Sequence, residues 1–130
     1  MNAAKMLGEL MDNVDARKWD ALAPFLHPDF RCTYVHTGEV LDREAWVRLN
    51  AEYPGFDRLR VEEITGNEDS AACRAHVTGF DAEQELNHFE CATFVTVQDG
   101  LIHTMTEVWT DVDQTAPADT RPERAVPVQG

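Results

Sequence analysis

Residues 87–112 read NHFECATFVTVQDGLIHTMTEVWTDV, two alternating segments that meet at Asp99-Gly100. An Asp-Gly pair between β-rich segments is the strongest short-range signal for a hairpin, because a type I′ turn needs positive φ at both central residues. The alternation then fixes which residues face each other across the two strands. With these two residues as the loop, the expected pairs are Gln98 with Leu101, Phe94 with Met105, Ala92 with Glu107 and Glu90 with Trp109.

The same alternation sorts the side chains of this hairpin onto two faces. One face is expected to carry His88, Glu90, Ala92, Phe94, His103, Met105, Glu107, Trp109 and Asp111. The other is expected to carry Phe89, Cys91, Val95, Val97, Ile102, Thr104, Thr106 and Val108. Both faces are largely apolar, and the first also holds ionisable groups among aromatic rings. That combination is typical of a pocket wall.

Composition limits the class of protein. The 130 residues suffice for one domain that needs neither a disulfide nor a metal to hold it. With 24 acidic and 11 basic side chains, the net charge of -13 argues against nucleic acid and anionic membranes as partners. No apolar stretch approaches the length of a membrane span, and no signal peptide is apparent, so the cytoplasm is the expected location. The cysteines are predicted to be buried thiols in a reducing compartment: Cys32, Cys73 and Cys91.

Helical spacing dominates the first half of the chain, and period-two alternation dominates the second. Three helical segments are predicted: 3–16 with Asn2 as its N-cap, a short one from Trp19, and one that Asp42 caps and Pro54-Gly55 ends. Strands are predicted at 30–36, from Leu59, at 71–80 and in the hairpin. Residues 1–112 are thus expected to form one α+β domain, followed by an irregular Pro- and Ala-rich tail at 113–130.

Three segments resemble the nuclear-transport-factor-two-like superfamily, in particular its SnoaL-like branch. They are Phe25-Leu26-His27-Pro28-Asp29-Phe30 before a strand, Thr37-Gly38 leading to a helix, and Asp99-Gly100-Leu101-Ile102 followed by Glu107-Val108-Trp109. The resemblance covers roughly residues 3–112. It implies a cone in which a curved antiparallel or mixed sheet wraps around three N-terminal helices. It also implies a homodimer through the outer sheet face and a hydrophobic pocket open at one end.

Within this resemblance, Glu107 is the expected acid/base. Polyketide cyclases of the branch carry such a carboxylate seven residues after the hairpin glycine, which is Gly100 here. One carboxyl group can remove a proton alpha to a carbonyl and return a proton to oxygen if an apolar cavity raises its pKa towards neutrality. The helper histidine of the cyclases corresponds to about Thr93, so that part of their site is missing.

The residues that other enzymes of the superfamily use for catalysis match this sequence less well. The base of ketosteroid isomerases falls near Tyr34, their tyrosine near Leu10 and their protonated aspartate near Ala92 or Thr93, so none of the three groups is kept. The Asp-Arg-Asp arrangement of epoxide hydrolases would need Arg74 with Glu107 or Asp111, which spacing does not establish. The superfamily also includes dehydratases and proteins without known catalysis, and fold alone does not choose among them.

The predicted site therefore has Glu107 at its centre. Tyr34, Arg74 and His76 are its expected hydrogen-bond partners. Tyr34 could instead donate to a backbone carbonyl, and the alternative for Arg74 is an internal ion pair with Glu107 or Glu90, on the face that it shares with His76. The predicted pocket lining is Trp46, Tyr53, Glu90, Phe94, Met105 and Trp109. His88, Glu90 and Glu107 could together bind a metal, but no His-Glu-x-x-His spacing supports one. We expect neither a metal nor a cofactor.

Three functions remain open at this point. The first is cofactor-independent cyclase, isomerase or dehydratase chemistry on a small, mostly apolar carbonyl or hydroxyl compound. The second is binding of such a molecule without catalysis. The third is a dimeric interaction module whose functional surface is the outer sheet face, predicted to carry Val95, Val97, Ile102 and Val108.

Overall fold

The first helix, α1, spans Ala3–Asp15 in a computed structural model that describes residues 2–123. Asn2 caps it as predicted, because its side-chain oxygen accepts a hydrogen bond from the Lys5 amide at 2.8 Å. The apolar stripe of α1 is buried along its whole length: Ala3, Met6, Leu7, Leu10, Met11 and Val14. Burying a stripe of this kind against a sheet is the main source of helix stability in a small domain.

The segment after α1 differs from the predicted short helix. It consists of two 3₁₀ turns, Trp19–Ala21 and Ala23–Phe25, and the chain then enters strand β1, Leu26–Tyr34. Pro24 lies within the second turn, where its missing N–H and fixed φ prevent a longer helix. The two short turns lead the chain from α1 into β1 in place of the predicted helix.

Helix α2, Arg43–Glu52, begins at the predicted cap, since Asp42 accepts a hydrogen bond from the Ala45 amide at 2.9 Å. The sequence predicted no strand between β1 and this helix, but Glu39–Asp42 is a short strand, β2, that pairs with β1. A four-residue edge strand offers too little alternation for sequence reasoning to detect.

The remaining strands are long. They are β3, Phe56–Gly66; β4, Ser70–Phe80; β5, Leu86–Gln98; and β6, Leu101–Asp111. The described chain forms one six-stranded sheet in the order β2-β1-β6-β5-β4-β3, antiparallel except for the parallel pair β1 and β6. Helix α1 packs on β3, β4 and β5, and α2 packs on β1 and β2. This is the predicted α+β cone, and it places β6 in the middle of the sheet.

The β5–β6 hairpin turns at Asp99 and Gly100, with φ values of 55° and 75°, as the type I′ prediction requires. The predicted pair of Gln98 with Leu101 is confirmed, but beyond Ile102 the predicted register is wrong. Ile102 pairs with Val97, but Thr104 pairs with Thr96, so His103 is an extra residue in β6. The pairs beyond this β-bulge are shifted by one residue: Val95 with Met105, Thr93 with Glu107 and Cys91 with Trp109.

The bulge exchanges the faces of β5 relative to the prediction, because a one-residue slip moves every side chain to the opposite side. Cys91, Thr93 and Val95 point inward, whereas Glu90 and Phe94 point outward. The predicted outer face changes as well. Its members Val95 and Ile102 are buried in the core and Val97 packs against that core, so only Val108 remains exposed.

The described part of the tail, residues 113–123, contains turns and bends without a helix or strand. Residues 124–130 of the predicted tail lie outside the described residues. Within residues 2–123, no helix combines the length and hydropathy needed to cross a membrane.

Candidate functional site

A cavity of about 510 Å³ lies between the inner face of the sheet and the two α-helices. Side chains of α1, α2 and five strands line it, and most of them are apolar or aromatic. The polar side chains on the wall are Tyr34, His36, Asn50, Tyr53, Thr78, Thr93, Glu107, Thr110, Asp111 and Gln114. A largely apolar cavity with a few convergent polar groups is the usual form of a small-molecule site.

Glu107 reaches this cavity from the central strand. It lies beside Tyr34 of β1 on one side and beside Thr93 of β5 on the other. Only 5% of its surface is exposed. A carboxylate at this depth needs hydrogen-bond donors from the protein, because water cannot solvate it fully.

Four side chains supply those donors. Oε2 of Glu107 accepts from the indole Nε1 of Trp46 at 2.7 Å and from Cys32 Sγ at 3.5 Å. Oε1 accepts from the indole Nε1 of Trp109 at 2.8 Å and from Cys91 Sγ at 3.8 Å. The hydrogen bonds from the two indole N–H groups are short and those from the two thiols are long, so the two tryptophans hold the carboxyl group in place.

The environment shifts the pKa of Glu107 in two opposing directions. Burial raises it, because the charged form loses solvation, and the hydrogen bonds from Trp46 and Trp109 lower it. Burial dominates, so the pKa lies above the ordinary range for a carboxyl group. Burial and the charge of Glu107 also raise the pKa of the Cys32 and Cys91 thiols, which keeps them protonated as donors.

Tyr34 presents a hydroxyl group to the same cavity. The residue is 7% exposed and lines the cavity, and no described residue hydrogen-bonds to its hydroxyl. Since no fully buried side-chain oxygen or nitrogen among the described residues lacks a hydrogen-bond partner, the Tyr34 hydroxyl is not fully buried, and the residue borders the cavity. Burial first, and then the charge of Glu107, raises the pKa of Tyr34, so the hydroxyl remains a donor.

The structure brings together part of the predicted lining. Trp46, Tyr53 and Trp109 border the cavity with Glu107 and Tyr34. Met105 is buried in the hydrophobic core and is not part of the wall. Phe94 and Glu90 are absent from the wall because the bulge in β6 turns their strand positions outward.

Arg74 and His76 also lie on the outer face, away from Glu107. The Arg74 guanidinium donates to Glu62 at 2.6 Å, to Glu63 at 3.0 Å and to Glu90 at 2.6 Å. His76 Nδ1 lies 2.6 Å from Glu90 Oε2. Arg74 therefore forms ion pairs, and His76 lies within hydrogen-bond distance of Glu90, but these contacts are on the exterior of the sheet. The prediction of an internal ion pair is wrong.

This outer cluster contains the one arrangement with metal-ligand geometry in the described chain. Ligand atoms of Glu62, His76 and Glu90 lie within 4.8 Å of one another. Arg74 already donates to both carboxylates, so the protein itself supplies the positive charge at this position. Glu107, which the sequence grouped with His88 and Glu90, is on the opposite face of the sheet.

Sequence reasoning missed the role of two cysteines. Cys32 and Cys91 were predicted only to be buried thiols, yet both donate to Glu107. The alternation did place Cys32 on the same side of its strand as Tyr34, which was the available signal. For Cys91, the undetected bulge hid the corresponding signal, because it separated this residue from Glu107 in the predicted register.

Comparison with known proteins places the chain in a family. The sequence model of the SnoaL-like domain matches residues 7–105. The chain belongs to the SnoaL-like domain family. No curated protein matches it. The family assignment confirms the resemblance inferred from the three segments, of which Leu26 to Phe30 proves to be the start of β1 rather than a segment before it.

Solved structures show the same fold. A candidate ketosteroid isomerase from Kribbella flavida is 26% identical, with a TM-score of 0.80 over 97% of this chain and 90% of that one. A candidate SnoaL-like polyketide cyclase from Jannaschia is 22% identical, with a TM-score of 0.69 over 81% and 83%. A protein with a ketosteroid isomerase-like fold from Catenulispora acidiphila, solved with trimethylamine, is 12% identical, with a TM-score of 0.69 over 82% and 85%. Names of both cyclases and isomerases occur among these relatives, so the fold leaves the reaction open.

Proposed function

We propose that this SnoaL-like protein catalyses cofactor-independent proton transfer, of the cyclase, isomerase or dehydratase type, on a small and mostly apolar carbonyl or hydroxyl compound. Glu107 acts as the acid/base, and Tyr34 donates a hydrogen bond to the substrate oxygen. One observation carries the proposal: a buried carboxyl group with a raised pKa and a tyrosine hydroxyl without a protein partner border the same apolar cavity.

The chemistry follows from the positions of the two groups on paired strands. Glu107 takes a proton from the carbon next to the carbonyl, and the electron pair of the broken C–H bond moves into an enolate. The enolate oxygen accepts the hydrogen bond of Tyr34, and the Glu107 carboxylic acid then returns its proton to carbon or oxygen. The hydrogen bonds from the two thiols to Glu107 are long and therefore weak. When Glu107 accepts a proton from the substrate, the loss of one of these hydrogen bonds costs the least free energy.

The direct test needs no knowledge of the natural substrate. Exchange of α-protons for deuterium is followed by proton NMR in D₂O, using ketones that range from cyclohexanone to 2-tetralone and a steroid enone. We expect the protein to accelerate exchange of at least one of them beyond an equal concentration of acetate. A panel without any acceleration would count against catalysis at this site.

Tyr34→Phe should slow this exchange by about 10²-fold, the usual effect of removing a hydrogen bond to a developing oxyanion. Because the hydroxyl has no protein partner, the free energy of unfolding should change by less than about 0.5 kcal/mol. Urea unfolding provides this internal control. A slower exchange accompanied by a large loss of stability would mean that Tyr34 has a structural role instead.

A second function, binding without catalysis, is favoured by one specific observation. Both oxygens of Glu107 already accept two hydrogen bonds each from the protein, two from indoles and two from thiols. A carboxylate with all its lone pairs engaged is a weaker base than one with a free pair. If the ketones bind, as seen by line broadening, but their exchange is not accelerated, this second function is the correct one.

We further propose that the outer face of the sheet forms a homodimer. Phe94 of β5 and Val108 of β6 lie on this face, 51% and 41% exposed, on neighbouring strands. Light scattering at micromolar concentration should give the mass of a dimer, and Phe94→Glu should give a monomer, because a buried unpaired charge is costly. The control is Ile64→Gln, an exposed apolar residue on the α1 side of β3, which should leave the mass unchanged. A wild-type monomer contradicts the proposal.

A further inference from the structure

The fixed charge on the cavity wall is negative. Glu107 and Asp111 both line it, and no lysine or arginine of residues 2–123 does. Arg17, which stacks over the Phe56 ring at the edge of the cavity, donates to backbone oxygens of Phe56 and Asp57 at 3.1 and 2.7 Å. A phosphate or carboxylate ligand would therefore meet two carboxyl groups with no lysine or arginine among the lining residues to compensate its charge.

Aromatic rings cover much of the remaining wall. Tyr34 stacks on His36 with ring centroids 5.4 Å apart, His36 lies 6.4 Å from Trp109, and Trp109 meets Phe89 edge-on at 6.4 Å. These four rings form a continuous strip, and all of them line the cavity. The indole N–H of Trp109 also donates a hydrogen bond to Glu107, so the strip of rings lies directly beside the carboxyl group.

We propose that the ligand of this cavity is an organic ammonium ion, a small apolar amine or quaternary ammonium compound whose cationic head lies against the Trp109 strip near Glu107 and Asp111. Aromatic faces attract cations through their negative quadrupole, and tryptophan does so best. The Glu107 carboxyl group in the same wall is only 5% exposed, and attraction between opposite charges is stronger where little water surrounds them. The net charge of -13 favours the approach of cations to the protein as a whole.

This inference rests on the proposed function for its chemical consequence. An enolate formed beside Glu107 would meet no lysine or arginine of the described residues, and Tyr34 offers only a neutral donor. An ammonium group on the substrate supplies the missing positive charge and would stabilise the enolate as a zwitterion. The substrate class is therefore amino ketones and related amino alcohols, rather than acids, phosphates or thioesters of acidic carriers.

The test compares three probes of the same shape that differ in charge: choline, 3,3-dimethylbutan-1-ol and 3,3-dimethylbutanoate. Titration calorimetry measures their dissociation constants at pH 8. We expect choline to bind at least about tenfold more tightly than the neutral alcohol, and the anion to bind more weakly than both. Equal affinities for choline and the alcohol, or no choline binding up to about 100 mM, would overturn the proposal.

Two variants locate the effect. Asp111→Asn and Glu107→Gln should each reduce the preference for choline over the alcohol. Glu68→Gln, in the exposed turn between β3 and β4, removes the same charge outside the cavity and should leave the preference intact. A preference unchanged in Asp111→Asn and Glu107→Gln would overturn the proposal. Asp111 is exposed, so its variant should fold even if Glu107→Gln does not.

The calorimetry is independent of the exchange assay. A choline preference without accelerated ketone exchange would uphold the ligand class and refute the proposed catalysis. Accelerated exchange of neutral ketones without a choline preference would uphold the catalysis and refute the ligand class.

Discussion

Glu107→Gln should lower the rate of ketone α-proton exchange by about 10²- to 10⁴-fold, the range that a positioned general base contributes. The amide has nearly the shape of the carboxyl group but is far too weak a base to accept a proton from carbon. Exchange is measured by proton NMR at saturating ketone, with the wild-type protein in parallel. Ligand affinity should change much less than the rate, because the cavity keeps its apolar wall.

A matched control is available on the other face of the sheet. Glu90 is a half-buried carboxylate of β5 that pairs with Arg74 and His76, and Glu90→Gln removes the same charge without touching the cavity. Its exchange rate should equal that of the wild type. If Glu107→Gln also matched the wild type, Glu107 would have no part in the mechanism.

The amide substitution should also reduce stability, which must be measured beside the rate. The two indole donors of Trp46 and Trp109 point at different oxygens of Glu107. A glutamine can accept from only one of them, and its NH₂ group would face the other N–H. An unsatisfied buried donor costs about 1–3 kcal/mol. Activity should therefore be compared at a temperature where both proteins are folded.

Local signals in the sequence were sufficient for much of the fold. The caps Asn2 and Asp42, together with the Asp99-Gly100 turn, depend on contacts within three or four residues, and all were predicted. Glu107 was found by counting from Gly100 within the family resemblance, and the structure places it at the cavity. Its catalytic role stays a prediction.

The inner face of β5 could not be predicted, because the bulge at His103 leaves no mark in the alternation. Phe94 and Val95 are both apolar, so either could face the core, and only the pairing of Thr96 with Thr104 shows which one does. The bond from Trp46 to Glu107 joins residues 61 positions apart, and no local pattern encodes it. Such contacts arise only when α2 packs on the sheet.

Two glycines with nearly the same backbone conformation should respond very differently to alanine. Gly55 has φ of 80° and Gly38 has φ of 79°, a region that costs an L-residue about 1 kcal/mol or more. A Cβ on Gly55 would overlap the carbonyl oxygen of Phe80, whereas a Cβ on Gly38 would have no atom within 4 Å. Gly55→Ala must therefore displace backbone as well as accept the strain.

We expect Gly55→Ala to lose about 3–5 kcal/mol of unfolding free energy and Gly38→Ala about 1–2 kcal/mol, measured by urea denaturation. The difference between the two losses measures the cost of the contact between the Cβ of residue 55 and the Phe80 carbonyl oxygen, because both variants carry the same penalty for positive φ. That approach joins the start of β3 to the end of β4, where the Phe80 amide donates to the Gly55 carbonyl at 2.7 Å. Phe56 and Gly79, the residues next to this contact, line the cavity, so Gly55→Ala should also weaken ketone binding. Equal losses of stability in the two variants would show that β3 and β4 can separate here without cost, and that this end of the cavity is not fixed by the backbone.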